Sequence, residues 1–353
     1  MKLTIRVVMM LALIATLVAP LAASAQEEQP CYGLSPADCA LYYSTEPAMK
    51  AVNAFSMGYT FALSVSGMAD VNSDGSGNFT FDPDAMDPFS AVSLNMDING
   101  TANDLEAGES MSGTFSFVMT DGYFYMTDPE GGGWVGFLLS AAADAMAEES
   151  GLNLEDLMSG DLSSMGDMSA MEDLDVAPLT DLMTKYVTIE RGADMQVGGN
   201  PVAVFTTNLD LPGLFADTQL GAVIGNLIAG ASAAGAAEGA GMSEEEMQQM
   251  TAQLPMIIAM VGVFFTNTTL SMTQHVGIND SYLYGFGIDF DMSLDPMMLA
   301  GLTGETAEPD AEPLDISLSL AVELTNHNGM FTFTAPAEFV DITDEMQSGM
   351  SGF

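Results

Sequence analysis

Few residues in this 353-residue chain are of a type that does chemistry near neutral pH. The only two histidines are His275 and His327, and His327 falls in Asn326-His327-Asn328-Gly329, a stretch whose composition predicts a turn. No Gly-x-Ser-x-Gly elbow and no His-Glu-x-x-His pair occurs, so a serine nucleophile on its sharp turn and a helical zinc pair both lack their starting residues. Carboxylates are plentiful, but among 49 Asp and Glu chance pairs are inevitable, and the paired-acid spacing of a glycosidase decides nothing here. Isolated histidines are more often surface or hydrogen-bonded groups than catalysts. The inventory points to a protein that is not an enzyme and carries no cofactor.

The metal-binding patterns are partial. Asp70, Asn72 and Asp74, followed by Gly75, copy the first half of a calcium loop, with oxygen ligands at alternate positions and a glycine at the bend. The twelfth position is Phe81 where a bidentate Glu is needed, and the flanks read as strands, so a hairpin turn over residues 72–77 is the better reading. Gly131-Gly132-Gly133-Trp134-Val135-Gly136 fits Gly-x-Gly-x-x-Gly formally but has no βαβ setting and reads as a loop. Thirty methionines, several at helical spacing (Met165, Met168 and Met171; Met242, Met247 and Met250), suit either core filling or an adaptable apolar surface. A thioether copper site is the sharper rival, in a chain with little histidine to support it.

The first 25 residues read as a secretory signal peptide: Lys2 and Arg6 at the start, an apolar run, then Ala23-Ser24-Ala25 as a small-residue cleavage site. Cleavage near Ala25 gives a soluble protein, secreted or held in the cell envelope. Export makes a Cys31–Cys39 disulfide the natural use of the two cysteines, with a metal or redox pair as the alternative. Without the leader, Lys50, Lys185 and Arg191 are the only basic residues against those 49 acids. Such a surface repels nucleic acid and anionic headgroups. It permits few salt bridges, so stability must come from apolar burial, for which a 48% hydrophobic content is sufficient.

The elements follow from periodicity. Tyr59, Phe61, Leu63 and Val65 alternate with small or polar residues, as do Leu94, Met96 and Ile98, and then Phe115, Phe117 and Met119. Asp121-Gly122 interrupts the last run before Tyr123-Phe124-Tyr125-Met126, the strongest short-range signal for a β-hairpin. Short helices are expected near 48–55 and 296–302, and longer helical insertions near 138–185 and 214–265. Strands are expected at 186–191, 201–210, 266–275, 282–292, 314–324 and 330–333. This gives an α+β fold: an antiparallel sheet interrupted by helical insertions, with one face available to be covered. The organisation expected is a linker over 26–55, one domain over 56–345 and a tail over 346–353.

The opening strand SMGYTFALSVSG, the hairpin FSFVMTDGYFYM with Trp134 after it, the pair YVTIERGADMQVGGNPVAVFTTNLD and the closing FTFTAPAEFVDIT occur in an order that resembles a known family. They are similar to the mycobacterial envelope lipoproteins of the LppX and LprG type and, more distantly, to the carriers LolA and LolB. The chain departs from the LppX and LprG pattern in lacking a lipidated cysteine and in its enlarged small-residue insertion. The resemblance implies a strongly curved antiparallel sheet, a half-barrel of about ten to eleven strands wrapped around the inserted helices. It also implies a carrier for lipid or lipoprotein acyl chains, working as a monomer with a membrane or an acceptor protein for delivery and without nucleic acid. The cavity lining it implies is the three alternating runs named above together with Met256, Ile257 and Met260 on the facing helical layer. A structural or adhesive surface module with a solid core, and a carboxylate-based hydrolase, are the alternatives.

Overall fold

The computed structural model describes residues 30–85, 87–105, 107–128, 132–150, 177–233, 253–254, 256, 258–259, 261–297, 300 and 312–344. Its frame is one open, curved sheet of thirteen strands. In chain order they are β1 (Ala54–Val65), β2 (Ala69–Phe81), β3 (Val92–Asp104), β4 (Glu109–Thr120), β5 (Tyr123–Thr127), β6 (Trp134–Leu138) and β7 (Val187–Arg191). They continue with β8 (Met195–Val197), β9 (Asn200–Leu209), β10 (Thr268–Gly277), β11 (Leu283–Leu294), β12 (Leu314–Thr325) and β13 (Val340–Asp341). The spatial order is β13-β6-β5-β4-β3-β2-β1-β12-β11-β10-β9-β7, with β8 paired to β9. Every pairing is antiparallel except the two-residue β13–β6 contact. Between 138 and 268 the chain supplies α1 (Leu139–Ser150), α2 (Ala177–Tyr186), α3 (Leu211–Ala216) and α4 (Thr218–Ala233), and the described residues from 253 to 264 are helical.

The two sheet faces differ because side chains alternate while paired residues share a face. In one register Phe286, Val322, Tyr59, Gly75, Ile98 and Phe115 stand side by side. The rows on either side carry Leu320 and Phe61, and Leu324, Met57, Met96 and Phe117. The opposite face carries Ser56, Thr60, Asp74, Asn99, Thr114, Ser116 and Ser319, hydrogen-bonded strand to strand: Asn99 Nδ2 donates to Asp74 (3.1 Å), and Ser319 to Asp289 (2.8 Å). The sheet is therefore amphipathic across its middle strands, while toward β6 the opposite face carries Val118, Tyr123 and Tyr125, with Phe339 packed on the two tyrosines.

The core fills the apolar face at the β7–β12 end. Leu182 and Met183 of α2, Leu211 and Leu214 of α3, Leu220 and Val223 of α4, and Ile258, Phe264 and Phe265 pack onto Val187, Ile189, Phe205, Leu270, Phe290 and Ile316. Phe205 and Val276 are fully buried, each contributing about 1.5–3 kcal/mol. Two short helices, Pro36–Tyr43 and Thr45–Met49, precede β1; the first is capped by Ser35, whose side chain accepts from the Asp38 N–H. The Cys31–Cys39 disulfide ties this segment, and Leu34, Leu41 and Tyr42 pack on the core. The Tyr32 carbonyl accepts from the Ile189 N–H (3.0 Å), covering the free edge of β7.

Several expected boundaries move. The turn after β1 lies at 66–68, where Gly67 takes φ +72°, and not at 72–77. Residues 69–81 are strand throughout, because Asn72, Ser73, Asp74 and Ser76 find partners on both neighbours, β1 and β3. The short helix runs over Thr45–Met49 and overlaps only the first two residues of the expected 48–55 span, whose end, from Ala54, belongs to β1. Trp134–Leu138 is a strand and not part of a glycine loop, because it pairs with β5, whose Phe124 packs on Phe137 on one face and Tyr125 over Gly136 on the other. Residues 330–333 are not strand; the closing segment pairs with the sheet through β13 and packs Phe339 on Tyr123 and Tyr125 of β5. The sheet has thirteen strands, against the ten to eleven expected, because β6, β8 and β13 are too short to show a period of two. The expected leader, the 346–353 tail and most of the 296–302 helix lie outside the described residues.

Candidate functional site

The strand residues expected to line a cavity all stand on one face. Tyr59, Phe61, Leu63 and Val65 on β1, Leu94, Met96 and Ile98 on β3, and Phe115, Phe117 and Met119 on β4 share the parity of the core-facing residues. Their surroundings divide them in two. Leu63 and Val65 pack against the core under the helices, beside Ile288, Leu318 and Leu314. Leu94, Ile98, Phe115, Phe117 and Met119 lie at the other end of the face and stay partly exposed, while Met96 is buried.

At this second end the register adds residues that the sequence reading left out. Met119 pairs with Phe124, which pairs with Phe137; Phe117 pairs with Met126, which pairs with Val135. The rings form a ladder across β4, β5 and β6: Phe115–Phe117 centroids are 6.1 Å apart, Phe117–Phe124 5.7 Å and Phe124–Phe137 5.4 Å. Phe55 stacks on Phe79 (5.0 Å) one row away. The signal for these positions was present in the alternation of 123–126, but β5 and β6 are five residues each, too short to assign a face without knowing their partners.

Tyr59 is held differently. Its ring lies across Gly75, where an added Cβ would collide with it, and its hydroxyl shares a 2.9 Å hydrogen bond with Ser73. A polar group is thereby fixed in the middle of the apolar face. Met256 is exposed, while Ile257 and Met260 lie outside the described residues.

Two clefts lie over the polar face. One of about 520 Å³ is bounded by Thr60, Ala62, Asn72, Asp74, Asn99 and Thr114. The other, about 1010 Å³, extends to Asp97, Asp289, Glu323, His275 and Gln196. Asp70, Asn72 and Asp74 are alternate residues of β2 on this face; Asp70 accepts from Ser64 (2.6 Å). Among the described residues no group of three or more His, Cys, Asp or Glu is placed to hold a metal ion.

The histidines are apart in setting. His275 lies against Gly285, with Glu323 one strand further on, and burial lowers its pKa while Glu323 opposes the shift. His327 is fixed by a 2.9 Å contact from Nε2 to the Leu283 carbonyl and lies between Tyr282 and Tyr284, at 5.0 and 4.7 Å. Burial lowers its pKa as well, against the Leu283 bond and Asp280. Tyr284 is pushed up to about 12 by burial and by its bond to Asp280 (2.8 Å). Among the described residues no helix is long and apolar enough to cross a membrane.

No family model matches the chain, and no curated protein does. Among solved structures it is similar to LprF from Mycobacterium bovis, at 12% identity over 86% of this chain and 99% of that one, with a TM-score of 0.34. It is similar to the lipoprotein LppX of Mycobacterium tuberculosis, at 9% identity over 85% of this chain and 100% of that one, with a TM-score of 0.28. A LolA superfamily protein from Nitrosomonas europaea follows at 5% identity over 84% and 96%, with a TM-score of 0.19.

Proposed function

We propose that this protein is a non-enzymatic carrier, exported and cleaved near Ala25, that holds an acyl chain of a lipid or lipoprotein against the apolar face of its sheet. The observation that carries this reading is the division of that face. One half is packed solid under α2, α3 and α4, and the other presents a partly exposed ladder of Phe and Met from β3 to β6. Burying a methylene is worth roughly 0.8 kcal/mol, so a chain of about sixteen carbons gains on the order of 12 kcal/mol before ordering costs. Binding of that kind needs no charged partner. Stacked rings and unbranched thioethers accommodate a flexible chain without fixing its length.

The test is uptake of a fluorescent fatty acyl probe. Phe117→Glu places a carboxylate in the middle of the ladder and should abolish uptake, while Phe117→Leu should retain it within a few-fold. Leu63 is a poorer test site, because it packs on the core and a charge there would unfold the protein. Equal binding by a folded Phe117→Glu protein, or no binding by the parent, sinks the carrier reading. A surface module that binds through the clefts of the polar face would then take its place; the volume of those clefts is what favours it.

A further inference from the structure

Three connections and the segment before β10 meet at one end of the sheet. The β1–β2 turn (66–68) touches the β3–β4 turn: the Leu105 N–H donates to the Met68 carbonyl at 2.8 Å. On its other side Ser66 donates to the Asp315 carbonyl (2.9 Å), and its hydroxyl accepts from the Asp315 N–H (2.9 Å), joining the start of β12. Next to that, the Ser293 N–H of β11 donates to the Asn267 carbonyl (3.1 Å) ahead of β10. Each of these pieces carries an exposed large apolar side chain: Met68, Leu105, Val263 and Met297, the last 77% exposed. Met111 on β4, 76% exposed, extends the row Leu318, Leu63, Val71 and Ala102 out to the same end. The apolar face thus runs without interruption from beneath the helices to a fringe of exposed Met, Leu and Val.

We infer that this end of the sheet docks on the surface of an electrically neutral lipid bilayer, and that acyl chains enter the apolar face there. The inference rests on the carrier reading for its purpose but on separate residues for its chemistry. Isolated exposed apolar side chains need no explanation, but several contributed by adjacent connections at the open end of an apolar face do. Short apolar side chains at loop tips reach the headgroup and acyl boundary without a spanning segment. Charge selects the kind of bilayer. Among the described residues the ionisable groups around the fringe are Asp70, Asp104, Glu109, Asp295, Glu312 and Asp315, and the sequence of these connections contains neither Lys nor Arg. An anionic leaflet would be repelled, while a zwitterionic or glycolipid surface imposes no such barrier.

The experiment is flotation of the mature protein with vesicles of phosphatidylcholine alone and of phosphatidylcholine with phosphatidylglycerol. The rate of uptake of the acyl probe is measured in parallel, from the vesicles and from free solution. The parent should float with the neutral vesicles and less with the anionic ones. The variant carrying Met68→Ser, Leu105→Ser and Met297→Ser should lose roughly tenfold or more of vesicle binding and of uptake from vesicles. Its uptake from free solution should match the parent, which also shows that it is folded. Vesicle binding unchanged in that variant, or a preference for anionic vesicles, overturns the docking surface. A parent that takes the probe from solution but never binds vesicles overturns it and leaves the carrier reading standing. One that binds neutral vesicles but never takes the probe does the reverse.

Discussion

Single residues show how narrowly some positions are set. Gly77 of β2 is one, since an added Cβ would meet the Asn95 carbonyl, and only a residue without a side chain lets the two strands pass at that distance. The histidines are set by burial. Both have folded pKa values below the ordinary 6.5, so acid favours the unfolded chain: their contribution is complete above about pH 6.5 and is lost as pH falls through the folded values. The urea midpoint should therefore fall between pH 7.5 and 5.5, and the His275→Gln, His327→Gln double variant should show a smaller drop. A parent midpoint that holds or rises over that interval would count against the assignment.

At the scale of elements, the β4–β5 hairpin sets the aromatic ladder in place. Its two turn residues, Asp121 and Gly122, have φ of +53° and +77°, the sign required by the tight turn that matches strand twist. Asp tolerates this conformation and Gly adopts it freely, so Gly122→Ala should cost about 1–2 kcal/mol, read as a lower urea midpoint with unchanged slope. Because the turn fixes which residues of β5 oppose Phe117 and Met119, the same variant should weaken binding of the acyl probe. Stability loss with undiminished probe affinity would mean that the ladder does not depend on this turn. The opposite lesson comes from β2, whose Asn, Asp, Ser and Gly content mimics a turn. Local composition lost there to two flanking ladders that pair every residue from Ala69 to Phe81.

For the molecule as a whole, charge and apolar content oppose each other. The formal net charge is −44, and the ion pairs among the described residues engage only Lys50, Lys185 and Arg191, the last with Asp38 and Asp194. The exposed Lys50–Glu46 pair contributes little, and the many uncompensated carboxylates repel one another. Screening should relieve that repulsion, so the melting temperature should rise with sodium chloride up to molar concentration. A flat response would show that the carboxylates are too dispersed to destabilise the fold. Burial beneath the helices holds one end of the sheet, and at the other end the apolar face stays partly exposed. The same hydrophobic effect therefore serves stability at one end and the proposed binding at the other.

The sequence by itself determined the class of fold, the antiparallel character of the strands, the Asp121-Gly122 hairpin and the poverty of catalytic groups. Each is written in local periodicity or composition, which need no knowledge of partners. Alternation also showed that Tyr59, Phe61, Leu94, Met96, Phe115 and Phe117 belong to sets that could share a face. Only the tertiary structure decided that they do, because a shared face depends on register between strands far apart in the chain. β1 pairs with β12, some 260 residues on. The division of that face into a packed half and an open half was likewise beyond local reading. It depends on where α2, α3 and α4 come to rest, and that follows from side-chain packing across the whole sheet rather than from any segment alone.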